Sequence, residues 1–159
     1  MVSPAEFVEA VSAFASGVVL VTVRDGRDDI GTTVTAFASV SLEPPMVLVS
    51  IAAESYLSEV LHHQDRWAAT VMGADQRALA GRFAAEGRPS ARLLLAGVPH
   101  HRGPQSDALI ADSGLAALEC ETRHRVTAGD HVLFVAEIVG VDYTDPGRQP
   151  LIRVNRRYR

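Results

Sequence analysis

The chain has 159 residues, 47% of them hydrophobic and 21% charged, which suits one ordinary domain with its own core and excludes wholesale disorder. Its formal charge of −4 supplies no field for nucleic acid or an anionic membrane surface. All 15 basic residues are arginine, which excludes lysine Schiff-base chemistry and Walker-type phosphate binding.

Ser3-Pro4 opens a predicted helix over 5–15, with Ser3 as cap and Glu6 at the positive end of the dipole. Phe7, Val11 and Phe14 form its expected inward face. Glu6 and Glu9 stand where a secretion signal would carry positive charge. No apolar run approaches the ~18 residues of a membrane span, so a cytoplasmic, membrane-free protein is expected.

Val18 to Arg24 is rich in β-branched residues and ends at Asp25-Gly26, so it predicts the first arm of a hairpin. The second arm starts near Ile30 and runs through TTVTAFASVS, Thr32 to Ser41. Read as one strand, it sends Val34, Ala36, Ala38 and Val40 to the core and places Thr33, Thr35, Phe37, Ser39 and Ser41 on the opposite face. Two readings fit that face: an amphipathic strand wetted by solvent, or a slot in which a flat aromatic ligand covers Phe37 while hydroxyls and amides hold a phosphate.

Beyond Pro44-Pro45, Met46 to Ala52 predicts a strand buried on both faces. Ser55 caps a short helix to Leu61. Trp67 to Met72 is another strand, and Ala74 to Ala84 a helix capped by Asp75 with Leu79 and Phe83 turned inward. Residues 87–103 read as loop. Leu115 to Val126 and His131 to Tyr143 form a hairpin across Thr127-Ala128-Gly129-Asp130, and Pro150 to Val154 is a last strand. Short hairpins outnumber crossover helices, which predicts a single mainly antiparallel barrel or sandwich over 1–159.

Glycine-rich phosphate loops, GxSxG and HExxH are absent, and Cys120 is the lone cysteine, able to form neither an internal disulfide nor a CxxC pair. A reducing compartment fits it. The histidine pairs His62-His63 and His100-His101 have no partner at metal-ligand spacing and are expected to be solvated. The arginine-rich end (Arg153, Arg156, Arg157, Arg159) lacks the aromatic platform of a nucleic-acid patch.

FASGVVLVTVRDG (14–26), GTTVTAFASVSLEPPMVLVSI (31–51), the stretch 69–83, LECETRH (118–124) and GDHVLFVAEIV (129–139) together resemble the flavin reductase domain family. The combination TAF-x-SVSL-x-PP with GDH-x-x-F-x-x-E carries most of the specificity, and the similarity spans nearly the whole chain. The resemblance implies an FMN-binding split β-barrel with a few flanking helices. It further implies a homodimer that moves hydride from NADH or NADPH to FMN or FAD and supplies a flavin-dependent monooxygenase.

By position it places Thr33, Val34, Thr35 and Ala36 beside the isoalloxazine, Ser39 and Ser41 at the phosphate, and Ser50, Ile51 and Ala52 on the ring's other side. Ser55 and Arg92 join the phosphate contacts, and His131 lies near the nicotinamide. His131 can equally serve as a turn-edge residue bonding its own loop. No catalytic side chain is implied, because the cofactors supply the reactivity. The family often carries an aromatic near Ala117, and a tyrosine and a histidine where this chain has Arg153 and Val154. That departure keeps open a second reading, a flavin-binding or electron-carrier protein without turnover.

Overall fold

The computed structural model describes residues 1–159. Seven strands form the main sheet: β2 (Val19–Asp25), β3 (Asp28–Val34), β4 (Phe37–Leu42), β5 (Pro45–Ala52), β6 (Arg66–Val71), β9 (Ala116–Ala128) and β10 (His131–Thr144). Their order is β3-β2-β6-β9-β10-β5-β4, and every pairing is antiparallel. Around it lie β1 (Ser16–Gly17), β7 (His100–Arg102), β8 (Leu109–Ala111), β11 (Ile152–Val154) and β12 (Arg157–Tyr158). Four short helices complete the chain: α1 (Pro4–Ser12), α2 (Tyr56–Leu61), α3 (Arg77–Ala84) and α4 (Ala91–Leu94). The protein is mainly β, as expected.

Two hairpins set the register. Asp25 pairs with Asp28 around Gly26 (φ +60°), and Ala128 pairs with His131 around Gly129 (φ +61°). Both two-residue loops need a left-handed residue, which glycine supplies without steric cost. The sheet curls around one apolar cluster. Val21 and Val23 of β2, Val49 of β5, Trp67 of β6 and Phe134 of β10 meet Leu57 and Leu61 of α2 there, all essentially inaccessible. Each such side chain contributes roughly 1.5–3 kcal/mol by its burial. A second cluster on the other side of β2 joins Leu20 to Leu79 and Phe83 of α3 and Leu95 after α4.

The hydrogen-bonded ladder does not close into a ring: β3 and β4 are its two edges. These edges are consecutive in the chain. The stretch predicted as one strand is therefore two, separated at Thr35-Ala36, where the Phe37 amide bonds the Thr35 carbonyl (3.0 Å) and the Ser50 amide bonds that of Ala36 (3.0 Å). A second irregularity falls between Ser39 and Ser41. Period-two alternation does not survive either break, so Ala36, Ala38 and Val40 are exposed instead of buried, and Phe37 packs against the core.

Three further expectations change. β5 alternates, burying Val47, Val49 and Ile51 while Met46, Leu48 and Ser50 are half-buried, because helix α2 covers one face only. The helix predicted from Ala74 begins as a 3-10 turn (Ala74–Gln76), and Asp75 pairs with both terminal oxygens on Arg148 (2.7 and 2.9 Å) instead of capping. Segment 87–103 holds α4 and β7. The N-terminal helix forms with the expected Ser3 cap, which the structure extends to a capping box with Glu6, yet no residue of it is buried. Phe7, Val11 and Phe14 are exposed.

Candidate functional site

The break at Thr35-Ala36 positions a cleft of about 360 Å³, a size in the range of small-ligand sites. One wall is the end of β3 and the break itself: Thr32, Thr33, Val34, Thr35 and Ala36. The opposite wall is the end of β5, Ser50, Ile51 and Ala52, followed by Ser55 and Leu57 at the start of α2. Arg88 and His131 complete the lining. The β5–β10 register pairs His131 with Ala52 and Val132 with Ile51, which sets the imidazole at the rim.

The cleft is rich in free hydrogen-bonding groups. Neither the Thr35 nor the Ala36 amide has an acceptor within the chain, and an unpaired N–H there is a site for a ligand oxygen or nitrogen. The hydroxyls of Thr33, Thr35 and Ser50 make no hydrogen bond to the protein, whereas that of Thr32 donates to the Phe83 carbonyl (3.3 Å). Ser55 is partly committed: its Oγ donates to the Ala52 carbonyl (2.8 Å) and accepts from the Ser58 amide (3.1 Å) as the cap of α2. Ile51 and Leu57 are buried beneath these groups and give the cleft an apolar floor. Donors above an apolar floor suit a planar heterocycle with polar edges.

His131 is about half-exposed and its Nδ1 contacts the Asp130 carboxylate (2.8 Å). The foreseen bond to its own turn is present. It bonds its own turn through one nitrogen and lines the cleft as well. The same contact holds the Asp130 carboxyl below its usual range.

Nine of the twelve predicted site residues meet in this cleft: Thr33 to Ala36, Ser50 to Ala52, Ser55 and His131. Ser39 and Ser41 do not line it. They sit farther along β4, past the break that cancels the phase placing them with Thr33. Arg92 does not line it either; it is exposed and donates to the Arg27 carbonyl (3.3 Å). Arg88 lines it and was missed, since it sits in a proline- and glycine-punctuated segment with no periodicity to give its direction.

A second, more apolar cleft of about 500 Å³ adjoins the first, sharing Thr35 and Ala36. Phe7, Val11 and Phe14 face Phe37 and Leu48 across it, with Arg153 and Arg156 at its edge. Arg153 also stacks over the Tyr158 ring, 5.3 Å from its centroid.

An antiparallel sheet split at one edge, with a lysine-free donor-lined cleft at the split, defines a small-ligand binding protein of the mainly β class. Residues 11–159 match the family model described as "Flavin reductase like domain". The chain belongs to that family. It is 32% identical over 153 residues to an NADH-dependent FMN reductase of Streptomyces nodosus subsp. asukaensis, covering 96% of this chain and 82% of the relative. It is 33% identical over 153 residues to the reductase component of 4-hydroxyphenylacetate 3-monooxygenase from Thermus thermophilus, covering 96% and 93%. Among solved structures, it superposes with a TM-score of 0.89 at 28% identity on the NADH:FAD oxidoreductase of Streptomyces globisporus in complex with NAD and FAD fragments, covering 100% of this chain and 94% of that one. The flavin reductase component of a bacterial two-component tryptophan halogenase gives 0.91 at 29%, covering 99% and 97%.

Proposed function

We propose that the chain is an NADH-dependent flavin reductase that binds FMN in the Thr33–Ser50–His131 cleft and delivers the reduced flavin to a separate oxygenase. The observation that carries the site assignment is the pair of unpartnered amides at Thr35 and Ala36, set against the free hydroxyls of Thr33 and Ser50. Both residues are exposed, so water satisfies these two adjacent donors until a ligand in the cleft takes its place.

The residues present fit a flavin. A bound flavin supplies the two-electron acceptor and NADH the hydride, so the chain needs no acid, base or nucleophile of its own. Its task is to hold and orient. The Thr35 and Ala36 amides would donate to the polar edge of the ring system, and fixed donors there favour the more negative reduced form. Ile51 and Leu57 would support the ring from below and keep water from that face. Ser55 would extend the polar wall toward the ribityl side, and His131, at the rim, would meet the nicotinamide.

The curled sheet, with its consecutive edges β3 and β4, supports reading the fold as a split barrel whose closure is completed by the chain itself. The homodimer reading is supported by the apolar face of α1 and by Leu42, 90% exposed on edge strand β4. Large exposed apolar patches beside an unpaired edge are what a subunit boundary covers. A reductase drawing on NADH would work in the cytoplasm, and the buried free thiol of Cys120 fits a reducing compartment.

Anaerobic mixing of the protein with NADH and a large excess of FMN tests the function. Continuous loss of oxidised-flavin absorbance through many equivalents supports a reductase. A single-equivalent change favours the electron-carrier reading, for which the replacement of the family's tyrosine and histidine by Arg153 and Val154 speaks.

A further inference from the structure

Arg153 and Arg156 both line the second cleft, and neither guanidinium has a carboxylate or a hydrogen-bond acceptor in the chain. Elsewhere arginines at this depth are paired: Arg102 holds the buried Asp29 (2.8 and 2.9 Å) and Arg148 holds Asp75. The hairpin that carries the two free cations is firmly placed. Val154 of β11 pairs with Arg157 of β12, so the turn has two residues, Asn155 and Arg156, both left-handed (φ +50° and +60°). The Asn155 amide donates to the Ser12 carbonyl at the end of α1 (2.7 Å), and β1 pairs Ser16 with Arg153 on the other side. Arg153 is half-buried and lies over the ring of Tyr158, its partner on β12. Stacking fixes the plane of this guanidinium and leaves its N–H edge uncommitted.

The two clefts form one groove. Leu48 of the second cleft and Ser50 and Ala52 of the first are alternate residues of β5 and share a face. A hydride donor that reaches a flavin in the first cleft has to leave its adenosine half outside it. The second cleft, about 500 Å³ with Phe37 and Leu48 as an apolar wall, is the space next to it. The chain carries 19 acidic residues and a charge of −4, yet no Asp or Glu lines either cleft; the charged side chains there are Arg88, Arg153 and Arg156, beside His131. In dinucleotide-binding folds a carboxylate on the ribose 2′-hydroxyl selects NADH, and an arginine accommodates the 2′-phosphate of NADPH. Rejecting the phosphorylated donor takes a repulsive element, and this groove has none.

We infer that Arg153 and Arg156 bind the 2′-phosphate of the hydride donor, so that this chain accepts NADPH beside NADH. This rests on the reductase reading above and deepens it. The arginine at 153, which the electron-carrier reading counts as the loss of a tyrosine, is on this account an added anion contact.

The test uses the protein saturated with FMN and titrates it calorimetrically with adenosine 2′,5′-bisphosphate and with adenosine 5′-monophosphate, which lacks the 2′-phosphate. Steady-state kinetics with NADPH and NADH accompany it. Wild type should bind the bisphosphate about tenfold or more tightly than the monophosphate, as expected for hydrogen bonds between charged groups. Arg153→Tyr and Arg156→Ser should each remove most of that preference and raise the NADPH KM, with the NADH KM unchanged within about twofold. Arg153→Lys, which keeps the charge, should keep part of the preference, and Arg157→Ser, outside the cleft, all of it. Equal affinity of wild type for the two fragments, failure to bind either, or a preference that survives both Arg153→Tyr and Arg156→Ser would overturn the inference. Equal losses with NADH and NADPH would overturn it too, by assigning the arginines to phosphates that both donors carry. Wild type that does not bind FMN would instead remove the reading on which it stands, a result visible before any fragment is added.

Discussion

His131 faces Ala52 across the β10–β5 ladder, so the first residue after the Gly129-Asp130 turn and the last of β5 share one wall of the cleft. Its imidazole lines the cleft and is bonded on Nδ1 to Asp130, while Nε2 has no partner in the chain. His131→Ala should therefore raise the NADH KM several-fold while changing FMN affinity by less than about twofold, the loss of roughly one hydrogen bond to the donor. Steady-state kinetics with each substrate varied in turn, beside a flavin titration, checks it. Equal effects on both would move His131 out of the nicotinamide's reach.

The free hydroxyls give a ranking. Ser50→Ala should weaken flavin binding by about threefold to tenfold, the worth of one hydrogen bond of ~1 kcal/mol. The double change Ser39→Ala with Ser41→Ala should have a smaller effect, because both residues lie outside the cleft. Isothermal titration of the three proteins orders them; the reverse order would restore Ser39 and Ser41 as flavin contacts.

The exposed apolar edge makes a prediction about assembly. Leu42→Asp together with Phe14→Asp places charge in the patch formed by α1 and β4 and should convert a dimer to a monomer in light-scattering measurements. A wild type that is monomeric at high concentration would contradict the homodimer reading, as would a double variant that remains dimeric.

His101 is bracketed by two carboxylates: Nδ1 bonds Asp112 and Nε2 lies 2.7 Å from Asp142. This pairing joins the β7–β8 hairpin to β10. The hydrogen bond that the imidazole donates to Asp112 and the charge of Asp142 raise its pKa above the ordinary value against the opposing effect of burial. A histidine raised on folding adds stability that is fully present below the unfolded value of ~6.5 and is lost as pH rises through the folded one. His101→Gln should therefore lower the urea midpoint more at pH 6 than at pH 9. A pH-independent difference would show that the imidazolium is not what the carboxylates hold.

Much of this was legible in the sequence because it rests on local rules. The hairpins at Gly26 and Gly129, the Ser3 and Ser55 caps and the inward Leu79 and Phe83 follow from turn chemistry, capping and helical spacing. The face of TTVTAFASVS was not, because alternation predicts orientation only while a strand stays continuous. The two-residue break sends the chain from one sheet edge to the other, and nothing in the residue types of Thr35 and Ala36 announces it. The same break explains why nine predicted residues converge while Ser39 and Ser41 do not. α1 keeps a good amphipathic pattern, yet pattern gives no information on whether the apolar face meets its own core or another surface. Arg88 escaped because an irregular segment has no period from which to read direction.

Flavin is proposed to bind in the cleft between the ends of β3 and β5. Ala52→Trp would fill it from the β5 wall, at an exposed position whose enlargement does not disturb the core. Equilibrium titration of FMN fluorescence should then show saturable binding, one flavin per chain, to wild type and none to Ala52→Trp at matched thermal stability. Undiminished binding by a folded Ala52→Trp protein would contradict the account.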